Sequence, residues 1–421
     1  MAIQALKGFK DLLPGESEKW VFMEETARRV FQTFGFAEIR TPVLERTELF
    51  VRSIGSATDI VEKEIYSMTD RSGDSIALRP EATASVLRAF IEHNLQAQQP
   101  VNKLFSIGPM FRHERPQKGR FRQFHQINAE MIGTDSPYAD AEIIYLLIQI
   151  LDYLGLQETR LRLNSLGCPD CRPSFSAALQ EFLEDQRLIL CPDCQRRMKT
   201  NPLRVFDCKV ERCQEVLTEA PTITAFNCGP CQKHFEEVQE LIAPLVIPVQ
   251  LDPRLVRGLD YYTRTTFEVS ASHLGSQDAV AGGGRYDGLI KQLGGPDLPA
   301  IGFAIGMERA ALLMSSLENW VKQPLVYLIP LGAEARKKAF TLFRNLHKKE
   351  IPALMEYEDR SLKSLLRRAD KSQSPYVAIL GTDELSREQI LIRNLETKEQ
   401  EEIPIPQFLN YFLEKHHKRQ V

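Results

Sequence analysis

No stretch of this sequence approaches the about 20 consecutive apolar residues that a helix needs to cross a bilayer. The longest candidate, "IIYLLIQIL", is broken by Gln149. The first residues, "MAIQALKGFKDLLPG", lack the basic start and apolar centre of a secretory signal. A cytoplasmic protein without membrane contact is therefore expected. Internal repeats and low-complexity segments are also missing. The "GGG" at 282–284 is not followed by "GK[ST]", so it is not a Walker phosphate loop. Cysteine is absent from residues 1–167 and 232–421.

What is present is the composition of a globular chain, 43% hydrophobic and 26% charged over 421 residues. That length calls for two or three domains. All eight cysteines lie in four pairs: Cys168/Cys171, Cys191/Cys194, Cys208/Cys213 and Cys228/Cys231. In a cytoplasmic chain, CxxC pairs suit Zn²⁺ better than disulfides. Two readings stay open: one or two Cys₄ zinc sites, or a small subdomain with reduced thiols and no metal.

Charge is unevenly spread. Residues 322–421 carry 18 Lys and Arg against 14 Asp and Glu, a net of +4, which leaves −7 for the rest of a chain at −3. This permits an RNA-binding face on the C-terminal part without requiring one. The sharpest local concentration is "GPMFRHERPQKGRFRQFHQINAE" (108–130), with five Lys or Arg and two His against two Glu.

Periodicity predicts a helix in "ESEKWVFMEETARRVFQTFGF" ending at Gly35. An extended "AEIRTPVLERTELF" follows, then a hairpin turning at "DRSGD" and a helix from about Glu81. "VNKLFSIGPMFRHE" and "FRQFHQINAEMIG" read as two strands joined by "RPQKGR". On the second, Arg122, Phe124, Gln126, Asn128 and Glu130 share one face, and Phe121, Ile127, Ala129 and Met131 lie near the other. Arg, aromatic, Gln and Glu on one sheet face make a floor for a nucleotide and a small polar ligand, with Arg112 reaching it from the partner strand. The alternative is a half-exposed hairpin with a solvated charged face. A segment at about 168–235 interrupts the alternation, and "NWVKQP" (319–324) reads as a linker. Beyond it, alternating strands and helices predict a small α/β domain with a largely parallel sheet. Its helix "SLKSLLRRADK" should bury Leu362, Leu365 and Leu366 and expose Lys363, Arg367 and Arg368.

Five blocks carry a resemblance that spans the chain. "FAEIRTPVLERTELF", "FRHERPQKGRFRQFHQ" and "GFAIGMER" (302–309) resemble motifs 1, 2 and 3 of the class II aminoacyl-tRNA synthetases. "VRGLDYYTRTTFE" (256–268) and "AGGGRYDGLI" (281–290) resemble the blocks that mark the histidyl-tRNA synthetase family within that class. The resemblance implies an α+β catalytic core, residues 1–167 and 236–320, built on an antiparallel sheet flanked by helices. It also implies a small helical, cysteine-bearing insertion at 168–235 and a C-terminal α/β domain of the anticodon-binding type at 325–421.

The activity implied is ATP-dependent ligation of histidine to its tRNA, with Mg²⁺ on the ATP phosphates, through a homodimer. Arg112 and Arg257 would meet the α-phosphate as the catalytic residues. Phe124 would stack on adenine, with Arg309 packed on its other side and reaching the γ-phosphate. Arg115, Lys118 and Arg120 would approach the phosphates or the tRNA acceptor end. Glu81, Thr83 and Gln126 would hold the α-amino group of histidine. Glu130 and Tyr262 would take its imidazole, with Tyr261 and Tyr286 shaping the pocket. Read from the residues alone, Glu81 and Thr83 are an ordinary helix start after a proline, and of two adjacent strand tyrosines one is core and one surface. Ala82 and Asn128 stand where the family usually has Gly. The competing readings are a regulatory, histidine-binding paralogue of histidine biosynthesis without ligase activity, a class II synthetase for another amino acid, and a non-catalytic RNA-sensing module.

Overall fold

The computed structural model describes residues 3–55, 58–245, 247–271, 278–314 and 323–420. The chain divides into two compact units, residues 1–317 and 318–421. Residues 319–322 of the expected linker lie outside the described residues.

The first unit is organised by an eight-stranded sheet. In spatial order its strands are Ala37–Glu38, Asn102–Phe111, Gln123–Ile132, Ala300–Gly306, Ala279–Arg285, Thr263–Ala271, Thr159–Ser165 and Val249–Leu251. The six central strands pair antiparallel, and only the two short edge strands join in parallel. The sheet has the two faces that period-2 patterning in 123–132 demands. On one face lie Phe105, Ala129 and Phe303, neighbours across three strands. The helix Ser17–Thr33 covers them: Phe31 stacks on Phe105 at 4.3 Å between centroids and on Phe303 at 6.3 Å. The apolar helix Pro137–Tyr153 packs beside it.

The other face carries the site. One row runs Ser106, Asn128, Ala304, Gly282, Glu268 and Arg162 across six strands. The next runs Leu104, Glu130, Gly302, Gly284 and Thr266. The middle of both rows is Gly or Ala, which leaves room above the sheet for other groups.

Several expectations change on folding. "TELF" leaves the extended segment and opens the helix Thr47–Ile54, so that segment keeps only the short strands Ala37–Glu38 and Leu44–Arg46. Arg122 precedes its strand, and its guanidinium donates to the carbonyls of Glu114 and Lys7. Asn128 and Glu130 are not on a solvated face: they are 2% and 1% exposed.

Residues 168–235 are mainly helical, with helices Arg172–Asp185, Pro192–Thr200, Glu211–Val216 and the start of Gly229–Ile242, and 3₁₀ segments Pro202–Asp207, Leu217–Glu219 and Ile223–Phe226 among them. Their core mixes Phe175, Leu179, Leu183 and Met198 with four of the cysteines.

The second unit holds a five-stranded sheet, in order Ala353–Met355, Val326–Pro330, Tyr376–Leu380, Gln389–Asn394 and Gln400–Pro404. The first three are parallel and the last two antiparallel. The expectation of a largely parallel sheet thus holds for only half of the pairings. The strand Gln400–Pro404 escaped notice because "QEEIP" buries only Ile403. Leu362 shares the helix face of Leu365 and Ala369 but is exposed, at the first position of the helix Leu362–Lys371. Among the described residues, no helix is long and apolar enough to cross a membrane.

Candidate active site

A cavity of about 310 Å³ lies on the site face of the sheet. Arg112, Phe124, Gln126, Arg257, Tyr262 and Arg309 all line it, as do Arg120, Gly282 and Ala304. The fold brings these residues together from five separate stretches of chain.

The cationic end is built around backbone anchors. Arg112 donates from Nε to the carbonyl of Pro80 at 2.9 Å, and its guanidinium carbon sits 5.3 Å over the Phe124 ring. Arg120 pairs with Glu114 at 2.8 Å. Arg309 opens the helix Met307–Leu313 next in line and donates to the carbonyl of Ala279 at 2.5 Å. Burial, with the charges of Arg120 and Arg112 added, holds the Arg309 guanidinium below its ordinary range. Arg115 and Lys118 are exposed on the turn between the strands.

Arg257 lies directly over Gly282. A Cβ at 282 would overlap its guanidinium, which would have to leave this position. Burial opposes the charge on Arg257, but Glu268, which accepts from it at 2.5 Å, together with Tyr262, Asp207 and Tyr261 outweighs it, and the net shift is upward. Glu268 also accepts from Arg162 at 3.0 Å.

Two buried polar atoms on the cavity wall have no hydrogen-bond partner: the acceptor Gln126 Oε1 and the donor Arg257 Nε. Buried polar atoms are nearly always satisfied, so an orphaned acceptor and donor in one cavity call for a polar ligand.

Of the residues expected to bind histidine, Glu81, Thr83, Glu130, Tyr261 and Tyr286 do not line this cavity; they form an acidic and aromatic cluster beside Tyr262, which does. Glu130 accepts from the Thr83 hydroxyl at 2.7 Å and from the Tyr286 hydroxyl. A Cβ on Gly302, its strand neighbour, would overlap the Glu130 carboxylate. Burial pushes the Glu130 carboxyl up to about 8, against the two hydroxyl donors that favour its charged form. Glu81 accepts from the backbone N–H groups of Thr83 at 2.6 Å and Ala84 at 2.9 Å, at the start of the helix Thr83–Glu92. Burial raises its pKa, and those N–H groups pull the other way.

Ala82 has φ −97°, an ordinary value that needs no glycine. Asn128 reaches only the carbonyl of Ser106, at 3.5 Å. Tyr261 and Tyr262 are not split between core and surface. They precede the strand in a turn, with rings 4.7 Å apart, and Tyr261 meets Tyr286 edge-on at 5.6 Å. Burial raises the pKa of all three phenols.

Sequence reasoning missed the residues that hold this shell. Glu268 carried no signal beyond being inside the 256–268 block. Glu308 grips His125 through its backbone N–H at 2.9 Å and its ring Nδ1 at 3.0 Å. Arg204 of the insertion donates to the Gly258 carbonyl at 2.6 Å and to Asp260 at 3.1 Å, and Arg172 donates to the Tyr262 carbonyl. Arg285, Asp140 and His234 form a buried chain, with contacts of 2.7 and 2.8 Å. No local pattern could reveal partners that lie 54 to 183 residues apart.

The eight cysteines gather into two groups of four. Cys168, Cys171, Cys228 and Cys231 form one, and Cys191, Cys194, Cys208 and Cys213 the other; within each, all four sulfurs lie within 4.8 Å of one another.

The arrangement has the chemistry to hold a polyanion at its arginines and a small polar group at its acidic and aromatic cluster. Comparison with known proteins agrees. The family described as "Histidyl-tRNA synthetase" matches residues 8–310, and the "Anticodon binding domain" matches residues 325–415. The chain is 53% identical to the histidine–tRNA ligase of Desulfosudis oleivorans over 405 residues, covering 96% of each chain. It is 50% identical to that of Syntrophotalea carbinolica over 415 residues, covering 99% of each. The crystal structure of apo histidyl-tRNA synthetase from S. aureus superposes with a TM-score of 0.82 at 34% identity, covering 98% of this chain and all of that one. The chain belongs to the histidyl-tRNA synthetase family.

Proposed function

We propose that the protein is a histidine–tRNA ligase, which activates L-histidine with ATP to histidyl-adenylate and transfers the histidyl group to the 3′ end of its tRNA. The observation that carries this reading is the pair of orphaned atoms, Gln126 Oε1 and Arg257 Nε, on the wall of a cavity that Arg112, Arg120, Arg309, Phe124 and Tyr262 also line.

In the first step the histidine carboxylate attacks the α-phosphorus of ATP and pyrophosphate leaves. Negative charge builds on the phosphorus oxygens, and Arg112 and Arg257 stabilise it there. Preorganised charges of this kind are the main catalytic effect, each contact worth about 10²–10³ in rate. Phe124 packs on adenine, with Arg309 on the other side. Arg120 approaches the β- and γ-phosphates. Gln126 accepts from the α-ammonium group, with Glu81 and Thr83 alongside. Glu130 accepts from one imidazole nitrogen and the Tyr262 hydroxyl meets the other. Apolar amino acids are rejected because they would leave these buried groups unpaired.

Mg²⁺ fits as an ion carried on the triphosphate, since the cavity carboxylate nearest the cationic end is Glu114 and magnesium takes one or two carboxylates beside phosphate oxygens. When bound it neutralises charge on the leaving pyrophosphate. In the second step the terminal adenosine hydroxyl attacks the activated carbonyl, and no side-chain nucleophile is required.

The second unit serves tRNA recognition, through exposed Lys363 and Arg367; Arg368 is already held by the buried Glu356 at 2.8 Å. The match of 325–415 to an anticodon-binding domain favours the ligase over the regulatory paralogue. The segment resembling motif 1 supports a homodimer, and the lack of a membrane-crossing helix among the described residues accords with a cytoplasmic location.

The test is ATP–pyrophosphate exchange without tRNA, across a panel of amino acids. Exchange with histidine alone is expected. Histidine binding without exchange would instead favour the regulatory paralogue, and exchange with another amino acid would overturn the specificity.

A further inference from the structure

We infer that the two cysteine tetrads are structural zinc sites that clasp the helical insertion and hold it against the segment 256–262 of the core. This stands on the sulfur geometry and is independent of the ligase reading.

A Zn²⁺ ion with Zn–S bonds of about 2.3 Å sets its four sulfurs about 3.8 Å apart, the edge of the tetrahedron. The sulfur separations are 3.6 Å for Cys168–Cys171, 3.9 Å for Cys168–Cys228 and 3.8 Å for Cys191–Cys208. A disulfide would bring two of them to about 2.05 Å. An iron–sulfur cluster spreads its thiolates over several irons and holds them farther apart than one ion does. Each tetrad therefore has the dimensions of a single tetrahedral ion.

The surroundings suit thiolates. Backbone N–H groups donate to the sulfurs: Cys228 to Cys171 at 3.2 Å, Cys191 to Cys213 at 3.2 Å, and Val210 to Cys208 at 3.4 Å. Such outer donors orient metal ligands and moderate their charge. Cys171, Cys191 and Cys228 are the N-cap residues of helices Arg172–Asp185, Pro192–Thr200 and Gly229–Ile242, so three helix N-termini face the sulfurs. On binding, four thiols lose four protons to give a Zn(S)₄ centre of net charge −2.

The connectivity shows what the sites do. The first tetrad joins residues 60 apart, where the insertion leaves the catalytic core and where it returns. The second lies inside the insertion. Gly167, at φ +60°, makes the turn into the first tetrad, where a Cβ would come 2.7 Å from the Cys171 Cβ. Next to Cys171, Arg172 reaches the Tyr262 carbonyl, and His234, three residues after Cys231, is anchored on Asp140 at 2.8 Å. The clasp thus ends on the segment that carries Arg257, Tyr261 and Tyr262.

The experiment is metal analysis of full-length protein purified without chelator. Two zinc ions per chain are expected; fewer than two, or iron in their place, would overturn the assignment. Stripped under reducing conditions and reloaded with Co²⁺, the chain should take up two ions with the visible bands of tetrahedral cobalt thiolate. Uptake without those bands would rule out the Cys₄ sites. Stripping should also speed proteolysis within 168–235; an unchanged rate there would overturn the clasp.

Discussion

The Tyr286 hydroxyl donates to one oxygen of the Glu130 carboxylate, while the Thr83 hydroxyl donates to the other at 2.7 Å. The carboxyl is buried and held at about 8, so in the ligand-free protein it keeps its proton at neutral pH. An N–H of histidine facing it favours the ionised form. Histidine binding at pH 7 should therefore release a proton, read as a buffer-dependent enthalpy in calorimetry. Glu130→Gln should abolish both that release and most of the affinity; an unchanged Kd would remove Glu130 from the histidine site.

The same group has a stability consequence. Its folded pKa lies above the unfolded one, so between about pH 4.5 and 8 the folded chain holds a proton that the unfolded chain has lost. Glu130 thus contributes a loss of stability as pH rises through that window and no further change above it. Glu130→Gln should flatten this part of the denaturation profile.

Gly282→Ala places a methyl group where the Arg257 guanidinium lies. Pyrophosphate exchange should fall by about 10²–10³, the worth of one such contact. Because both act on one group, Gly282→Ala combined with Arg257→Ala should be little worse than Arg257→Ala alone. Additive losses in that cycle would mean that Gly282 acts elsewhere.

Phe31 joins the helix Ser17–Thr33 to the sheet through Phe105 and Phe303. Phe31→Ala should cost about 3–5 kcal/mol in chemical denaturation. Asp140→Ala takes from the buried Arg285 one of its two carboxylate partners, with Asp287 remaining at 3.1 Å, and should cost about 1–3 kcal/mol by the same measurement.

Lys363→Glu with Arg367→Glu reverses charge on the second unit only. Aminoacylation should weaken through KM for tRNA, less so at higher salt, with pyrophosphate exchange unchanged. Equal loss in both reactions would point to a folding defect instead.

The sequence carried a great deal of this molecule, because much of its information is local. Period-2 alternation in 123–132 by itself separates Ile127, Ala129 and Met131 from Phe124, Gln126 and Glu130, and the two sets do face helix and cavity. The family blocks name the arginines that meet in that cavity. Burial is collective: period-2 alternation read this face as a ligand floor but left a half-exposed hairpin open, and only the packing of neighbouring strands and of Thr83 shows Asn128 and Glu130 to be buried. Edge strands with little burial, such as Gln400–Pro404, give no alternation to read.

Only the tertiary structure decided which cysteine pairs with which, since spacing allows several groupings and chain topology selects the outer pair with the outer and the inner with the inner. Only it revealed what a side chain at residue 282 would displace, because the guanidinium that a Cβ would strike comes from a separate stretch of chain. Periodicity and motif spacing are properties of neighbouring residues, so the sequence alone determines faces, elements and family. Partner choice depends on the path of the chain between contacts far apart along it, and it exists only once the sheet has brought them together.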